Sequence, residues 1–339
     1  MLGALCGTWH PKARTDVENN AGPEVPEGER ITATEVQRSS PWTISLGYRF
    51  QPSSRHFIGT VEQVQREVTN NQIQNTYHLF DLGIERQLTS RFSATMSVPV
   101  ILAYRNQLYN PKGEYRVRGI GDMTAGVRGW VLKPSSERRG NIAFGVSLKM
   151  PTGKDNSTGN ALDAKNNPIV ATADQSIQLG DGGWGFAIDS QAYVHLPLGF
   201  MAYETGSYLF NPRDTNGVNS FRTRPGETVF SVTDQYLARG GIARAVPRVP
   251  GLIITFGGRM EGVPVRDLIG KSNGFRRPGY AISGDPGFLY NRWGYVFSVN
   301  VPWAIERNRR TSVSDYQNHI HGDAAFADYV VTLGLSRRF

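Results

Sequence analysis

The chain has 339 residues, 39% of them hydrophobic and 19% charged, with one cysteine, Cys6, and a formal net charge of +8. That hydrophobic share lies below the about 45–50% usual for globular domains, and with no disulfide in reach a large solvent-buried core would be hard to fill. No stretch holds the roughly 18–20 consecutive apolar residues that a membrane helix needs, since the richest run, Leu252 to Gly258, stops far short. A β protein remains, either soluble or closed into a membrane barrel whose inside can stay polar.

The first 41 residues are polar and contain proline, with Glu24, Glu27 and Glu29 close together. Met1 to Cys6 is too short for a secretory signal, and Leu5 stands where a lipoprotein box needs a small residue. An exported chain with this beginning implies a signal that is missing or truncated. Residues 1–41 are expected to form a periplasmic leader or a plug of the lumen. In position and length alone they resemble the N-terminal plug of long-chain fatty-acid transporters.

From residue 42 onward the sequence alternates apolar with small or polar residues, the period of a strand with two unlike faces. Trp42, Ile44, Leu46, Tyr48 and Phe50 oppose Thr43, Ser45, Gly47 and Arg49. The same pattern recurs at Phe92–Tyr104, Ile142–Met150, Tyr295–Ile305 and Tyr329–Phe339. Weaker alternation falls near 76–87, 121–132, 183–195, 200–210, 229–246, 252–262 and 279–290, giving twelve segments. Short connectors (Leu88–Arg91, Lys133–Gly140, Leu196–Gly199, Pro247–Gly251, Asn291–Gly294) alternate with long ones near 52–75, 105–120, 151–182, 211–228, 263–278 and 306–326. Short periplasmic turns and long extracellular loops characterise bacterial outer-membrane barrels, and an even count leaves both termini in the periplasm. The expected fold is all-β: a transmembrane antiparallel up-and-down β-barrel of about twelve strands over 42–339. The terminal Phe339, with Leu335, Leu333 and Val331 before it, resembles the signature read by the outer-membrane assembly machinery. Arg337 departs from it.

Strand parity sorts the charges. Arg49, Arg128, Lys149, Arg239 and Arg259 fall on the inward face, as do Asp81, Glu85, Asp122, Asp189 and Glu261 and, on a less regular strand, Glu204. Lipid-facing Arg or Lys would cost about 2–4 kcal/mol at the bilayer midplane, which favours this sorting. These ten to eleven side chains are the candidates for lumen selectivity, either as a ladder of ion pairs or as a constriction with opposed basic and acidic walls. The loop 263–278, with Arg266, Asp267, Lys271, Arg276 and Arg277, either folds inward as a constriction or covers the outer surface. The surplus positive charge collects at the periplasmic rim: Arg86, Arg91, Lys133, Arg138, Arg139, Arg244, Arg248, Arg292, Arg337 and Arg338, with Glu137 as the main acid. Spread round a ring, these residues do not suit nucleic acid. They are either solvated turn charges or contacts to anionic lipid heads, each worth roughly 1 kcal/mol.

Enzyme motifs fail. Ser190 and His195 sit at odd spacing and so on opposite faces of a strand. IGKS at 269–272 has Val265 where a phosphate loop needs glycine. His319 and His321, with Asp315 and Asp323, have metal-compatible spacing but lie in a long loop, where solvated polar residues are the simpler reading. No GxGxxG or CxxC is present, and neither enzyme activity nor a cofactor is expected.

The phrases GIGDMTAGVRGWVLKP (119–134) and FGVSLKMPTGK (144–154) resemble the outer-membrane family associated with the MetA pathway of phenol degradation. SYLFNPRDTNG (207–217), DQYLARGGIAR (234–244) and EGVPVRDLIGKSNGFRRPGY (261–280) extend the likeness over 42–339. The resemblance implies an outer-membrane transporter, a channel for small hydrophobic or aromatic compounds. Its partners would be the small-molecule solute and outer-membrane lipids. A structural barrel with a blocked lumen and a lipid-handling enzyme are the alternatives.

Overall fold

The computed structural model describes residues 41–108, 111–134 and 139–339. The expected leader or plug, and Glu137 and Arg138 of the basic rim, lie outside the described residues. Twelve crossings form one closed antiparallel barrel. They are β1 (Trp42–Ser53), β2 (Gln74–Gln87), β3 (Phe92–Gln107), β4 (Lys112–Ile120 continued by Met123–Trp130), β5 (Gly140–Met150) and β6 (Gly185–His195). There follow β7 (Phe200–Phe210), β8 (Gln235–Ala245), β9 (Leu252–Val263), β10 (Gly279–Gly284 continued by Gly287–Arg292), β11 (Tyr295–Asn300 continued by Trp303–Arg309) and β12 (Val331–Arg338). β12 closes the wall on β1, from Thr43 opposite Arg338 to Phe50 opposite Val331. The Phe339 N–H then donates to the Trp42 carbonyl at 3.0 Å.

Closure leaves no free strand edge, the condition for a sheet to cross lipid. Ile44, Leu46, Phe80, Leu82, Ile84, Val100, Leu102, Phe144, Val146, Leu148, Ile254 and Phe256 are exposed on the outside as a continuous apolar band. A closed wall with such a band is an outer-membrane barrel, and its place is the bacterial outer membrane. Among the described residues no helix is long and apolar enough to cross a membrane.

Three crossings are broken, each for a covalent or register reason. Pro286 and Pro302 lie in the gaps of β10 and β11 and have no N–H to give the ladder. In β4 the pairing with β3 slips by one residue between Ile120–Val100 and Thr124–Ser97. This bulge at Gly121–Asp122 inverts the parity, so Tyr115 and Val117 point inward above it and Arg128 and Trp130 below it.

The long external loop expected over 105–120 is not a loop. β3 runs to Gln107 and β4 starts at Lys112, so four residues separate the two strands. Here the hairpin rises above the bilayer, so its outer face carries Glu114, Arg116 and Arg118 in place of apolar residues. The remaining external loops are long as expected, and several carry sheet of their own. A hairpin of Thr158–Leu162 with Pro168–Thr172 extends beside the top of β4, and Arg55–Ile58, Val61–Glu62 and Ala324–Phe326 form a small three-stranded sheet. At the other end the turns are short. Trp293 and Gly294, both at positive φ, make a two-residue hairpin turn.

Among the described residues apolar packing has three centres, one of them Phe57, Ala324 and Phe326 of the small sheet against Val263 and Ala281. Near the outer mouth Tyr77, Leu79, Ile101, Tyr115 and Val117 meet Ala171, Ala173, Ile177 and Leu179, so the loop between β5 and β6 folds into the lumen. Near the periplasmic end Trp130, Ala143, Tyr193, Met201, Ala243 and Ile253 fill the side bounded by β4–β9.

Candidate functional site in the lumen

Between the apolar centres of the outer mouth and the periplasmic end the inward face is ionic. β1 and β9 supply a three-member group. Arg49 donates to both Glu261 oxygens at 2.7 and 3.2 Å and to Gln51 Oε1 at 2.7 and 3.0 Å. Arg259 donates to Glu261 Oε2 at 2.5 and 3.1 Å. Arg239 and Arg259 stand directly opposite each other on β8 and β9, a pairing of like charges that needs compensation. It is compensated because Arg239 turns to Asp285, in the gap of β10, and Arg259 to Glu261.

On the far wall the aligned row Arg128–Gly145–Asp189 runs across β4, β5 and β6. Arg128 reaches over the glycine to Asp189 Oδ1 at 2.7 and 3.1 Å. Nearer the mouth Lys149, 1% exposed, binds Asp181 and lies 3.7 Å from Asp122. Asp122 also accepts the Gly153 and Asp181 N–H groups at 2.9 and 3.2 Å, which fixes the entry of the inward-folded loop to the bulge. Asp81 bonds Ser97, and Glu85 is buried near the periplasmic end of β2.

Ten of the residues read from parity thus line the inside, mostly as ion pairs. The eleventh does not: Glu204 points outward beside Ser190, whose hydroxyl donates to it at 3.0 Å. In β7 Met201, Tyr203 and Leu209 face inward while Tyr208 and Phe210 face outward, so both faces are apolar and the period carries no parity. His195 faces inward against Tyr193, on the opposite face from Ser190.

The paired charges border a cavity of about 120 Å³ that opens to solvent on one side. Arg49, Arg239 and Arg259 stand on it, together with Asp81 and the neutral polar groups of Ser298, Asn300 and Thr332.

The loop 264–278 divides in two. Arg266 and Lys271 are exposed, while Arg276 and Arg277 turn inward and are buried. Arg276 is held by Asp267 and by the Ser231 hydroxyl at 2.7 and 3.1 Å. Arg277 makes a two-pronged pair with Asp174 of the inward-folded loop, both contacts 2.6 Å, which ties two external loops together across the mouth. Burial opposes ionisation of Asp174, but Arg105 and Arg277 outweigh it and hold the carboxyl well below its ordinary range.

A second tie joins His56 to Asp323 at 3.2 Å. The Ile73 N–H donates to the other ring nitrogen at 3.0 Å, so the imidazole is neutral and its proton faces Asp323. Burial lowers its pKa. The histidine–aspartate set read as metal-compatible is dispersed. Asp315 binds Arg309, His321 meets the Arg309 carbonyl, and Asp323 is shared by His56 and Arg66. Among the described residues no group of three such side chains could hold a metal.

Sequence reading missed Asp174, Asp181 and Asp285, the partners of Arg277, Lys149 and Arg239. Each lies in a polar or Gly/Pro-rich stretch that reads as a turn. The usable signal was an inward arginine or lysine with no acid on a neighbouring strand. At the periplasmic rim Arg86, Arg244, Arg292 and Arg337 lie over the rings of Trp42, Phe200, Trp293 and Tyr295, at 4.4 to 5.2 Å.

No family model matches the sequence, and the search of curated proteins finds no match. Among solved structures, the COG4313 outer membrane channel from Pseudomonas putida F1 aligns with a TM-score of 0.60 at 12% identity, over 88% of this chain and 96% of that one. The fold is that of an outer-membrane β-barrel. The Pseudomonas putida toluene transporter TodX (TM-score 0.44, 9% identity, 88% and 90% covered) and the translocator domain of autotransporter NalP from Neisseria meningitidis (0.42, 12%, 90% and 91%) are more distant.

Proposed function

We propose that this chain is an outer-membrane channel that passes small compounds, hydrophobic and aromatic ones included, by passive or facilitated diffusion. The observation that carries the reading is the lumenal cavity: a closed wall around about 120 Å³, with its charges already paired. A neutral solute passing such a wall leaves no ion without a partner, whereas breaking a pair would leave an uncompensated charge. The aromatic class rests on the resemblance of 119–134 and 144–154 to the phenol-degradation family.

In this reading Arg49, Asp81, Glu85, Asp122, Arg128, Lys149, Asp189, Arg239, Arg259 and Glu261 set selectivity, and Arg277 keeps the mouth shut until the loops part. Residues 1–41 serve as leader or plug, and the strand ending at Phe339 is the handle for the assembly machinery. A blocked structural barrel is the second reading. It is favoured by the packing of Trp130, Tyr193 and Met201 at one end and the Arg277–Asp174 tie at the other. Uptake of a monoaromatic substrate by a deletion strain, with and without the plasmid-borne gene, separates them. The channel reading expects restored uptake, and equal uptake in both strains contradicts it.

A further inference from the structure

We propose that the outside of the barrel holds a binding groove for the phosphorylated glycolipid of the outer leaflet, with Arg116 and Arg118 taking a phosphate and Phe80, Val100 and Ile120 taking the acyl chains. The groove lies on the outer face of the wall, so it does not use the lumen and does not rest on the channel reading. It measures about 460 Å³ and is bordered by Thr76 and His78 of β2, Leu102 and Tyr104 of β3, and Arg116 and Arg118 of β4.

Height on the wall is the first reason. Phe80, Val100 and Ile120 stand in register on β2, β3 and β4 and are exposed on the outside, where the wall meets hydrocarbon. Two residues nearer the mouth the same strands present His78, Leu102 and Arg118, and two residues beyond these Thr76, Tyr104 and Arg116. The outer face of β4 therefore turns from apolar to cationic within one step of the pleat. Ring contacts mark this boundary on the neighbouring strands, Tyr48 with Phe80 at 5.0 Å and Phe50 with His78 at 5.1 Å, as an aromatic girdle does at a membrane interface.

Charge is the second reason. Above its bulge β4 carries Lys112, Arg116 and Arg118 on the outer face against one acid, Glu114. Glu114 lies 3.6 Å from Arg116, and both side chains are more than half exposed, so the pair contributes little. Arg118 is exposed and, among the described residues, has no ion pair. Residues two apart on a strand share a face, so the two guanidiniums are neighbours, and their planar forks match phosphate oxygens.

The third reason is that the polar walls are held in place before a ligand arrives. The Arg116 guanidinium lies over the Tyr104 ring, 5.6 Å from its centre, and His78 Nδ1 is 2.9 Å from the Tyr48 hydroxyl. Cations above and apolar side chains below specify an amphiphile with an anionic head and acyl chains. In the outer leaflet of a bacterial outer membrane that amphiphile is a phosphorylated glycolipid.

The test is native mass spectrometry of the full chain in detergent micelles, titrated with bisphosphorylated lipid A, dephosphorylated lipid A, phosphatidylglycerol and inorganic phosphate. Bisphosphorylated lipid A is expected to bind saturably and roughly tenfold or more tighter than each of the other three. Arg118→Ala should weaken that binding about fivefold, and Arg116→Ala with Arg118→Ala about twentyfold. Both positions are exposed, so the melting temperature should stay unchanged. Lys165→Ala, which removes an exposed cation from another external loop, should leave the affinity as it is. Equal affinity for dephosphorylated lipid A would reduce the groove to apolar adsorption, and equal affinity for phosphatidylglycerol would make it a general anionic-lipid surface. Equal affinity for inorganic phosphate would make it an ion site. Any of these results, or full affinity in the double variant, overturns the proposal.

Discussion

Gly145→Ala tests the packing of the ionic lumen at a single atom. Gly145 lies on β5 between Arg128 and Asp189, and the aspartate carboxylate rests over it. A Cβ at this position would stand 2.2 Å from one carboxylate oxygen and 2.7 Å from its carbon, closer than any non-bonded pair allows. Asp189 must swing away, and Arg128 loses its 2.7 Å partner. The two side chains are 11% and 10% exposed, so the loss sits at the lower end of the range for a broken buried pair, about 3 kcal/mol. The ordinary effect of Gly→Ala within a strand has the opposite sign, a gain of roughly 0.5–1 kcal/mol. Urea unfolding in detergent micelles therefore reads the sign as well as the size. In an Asp189→Ala background the alanine has nothing to displace, and its cost should vanish. A neutral or stabilising Gly145→Ala in the native background, or the same cost in both, would refute the reasoning.

Arg277→Ala removes both bonds to Asp174 and should raise the open probability of the barrel in planar bilayers; an unchanged record would show that this tie does not close the mouth. Because Asp174 ionises well below its ordinary range, the closure it supports is present above the unfolded carboxylate value, about 3.9, and is lost only as pH falls through the lower folded value. His56 behaves as a buried imidazole whose folded pKa is depressed, so the opened state takes the proton first as pH falls below about 6.5. Hydrogen-exchange protection of the Ile73 amide should then decline with acidification, and His56→Gln should abolish that pH dependence; a pH-independent protection factor in the native chain contradicts it. Neutralising Arg244, Arg292 and Arg337 should reduce the anionic phospholipid retained through purification, measured by mass spectrometry, whereas unchanged lipid content would leave these residues as solvated rim charges.

The barrel was legible because lipid imposes a constraint that sequence records: wherever the outside meets hydrocarbon, as at Ile44–Leu46 or Phe144–Leu148, every second residue is apolar. Legibility ended where that constraint ends. Above the bilayer the outer face of β4 meets water, so Glu114, Arg116 and Arg118 hid a strand inside an expected loop. In β7 both faces are apolar, and Glu204 was assigned to the wrong one. Parity placed Arg49, Arg239 and Arg259 inside, yet could not supply Asp285 as the partner of Arg239. The Arg277–Asp174 bond spans 103 residues of sequence and leaves no local trace. Long-range ion pairing depends on loop paths, and these follow from three-dimensional closure and not from period.

Single-channel recording of the purified chain in planar lipid bilayers tests the central claim most directly. A channel with a polar, paired lumen and a mouth tied by Arg277 predicts discrete unitary currents, infrequent in the native chain and more frequent once Arg277 is replaced by alanine. Silent bilayers with both proteins, each shown to be inserted and folded, would contradict it.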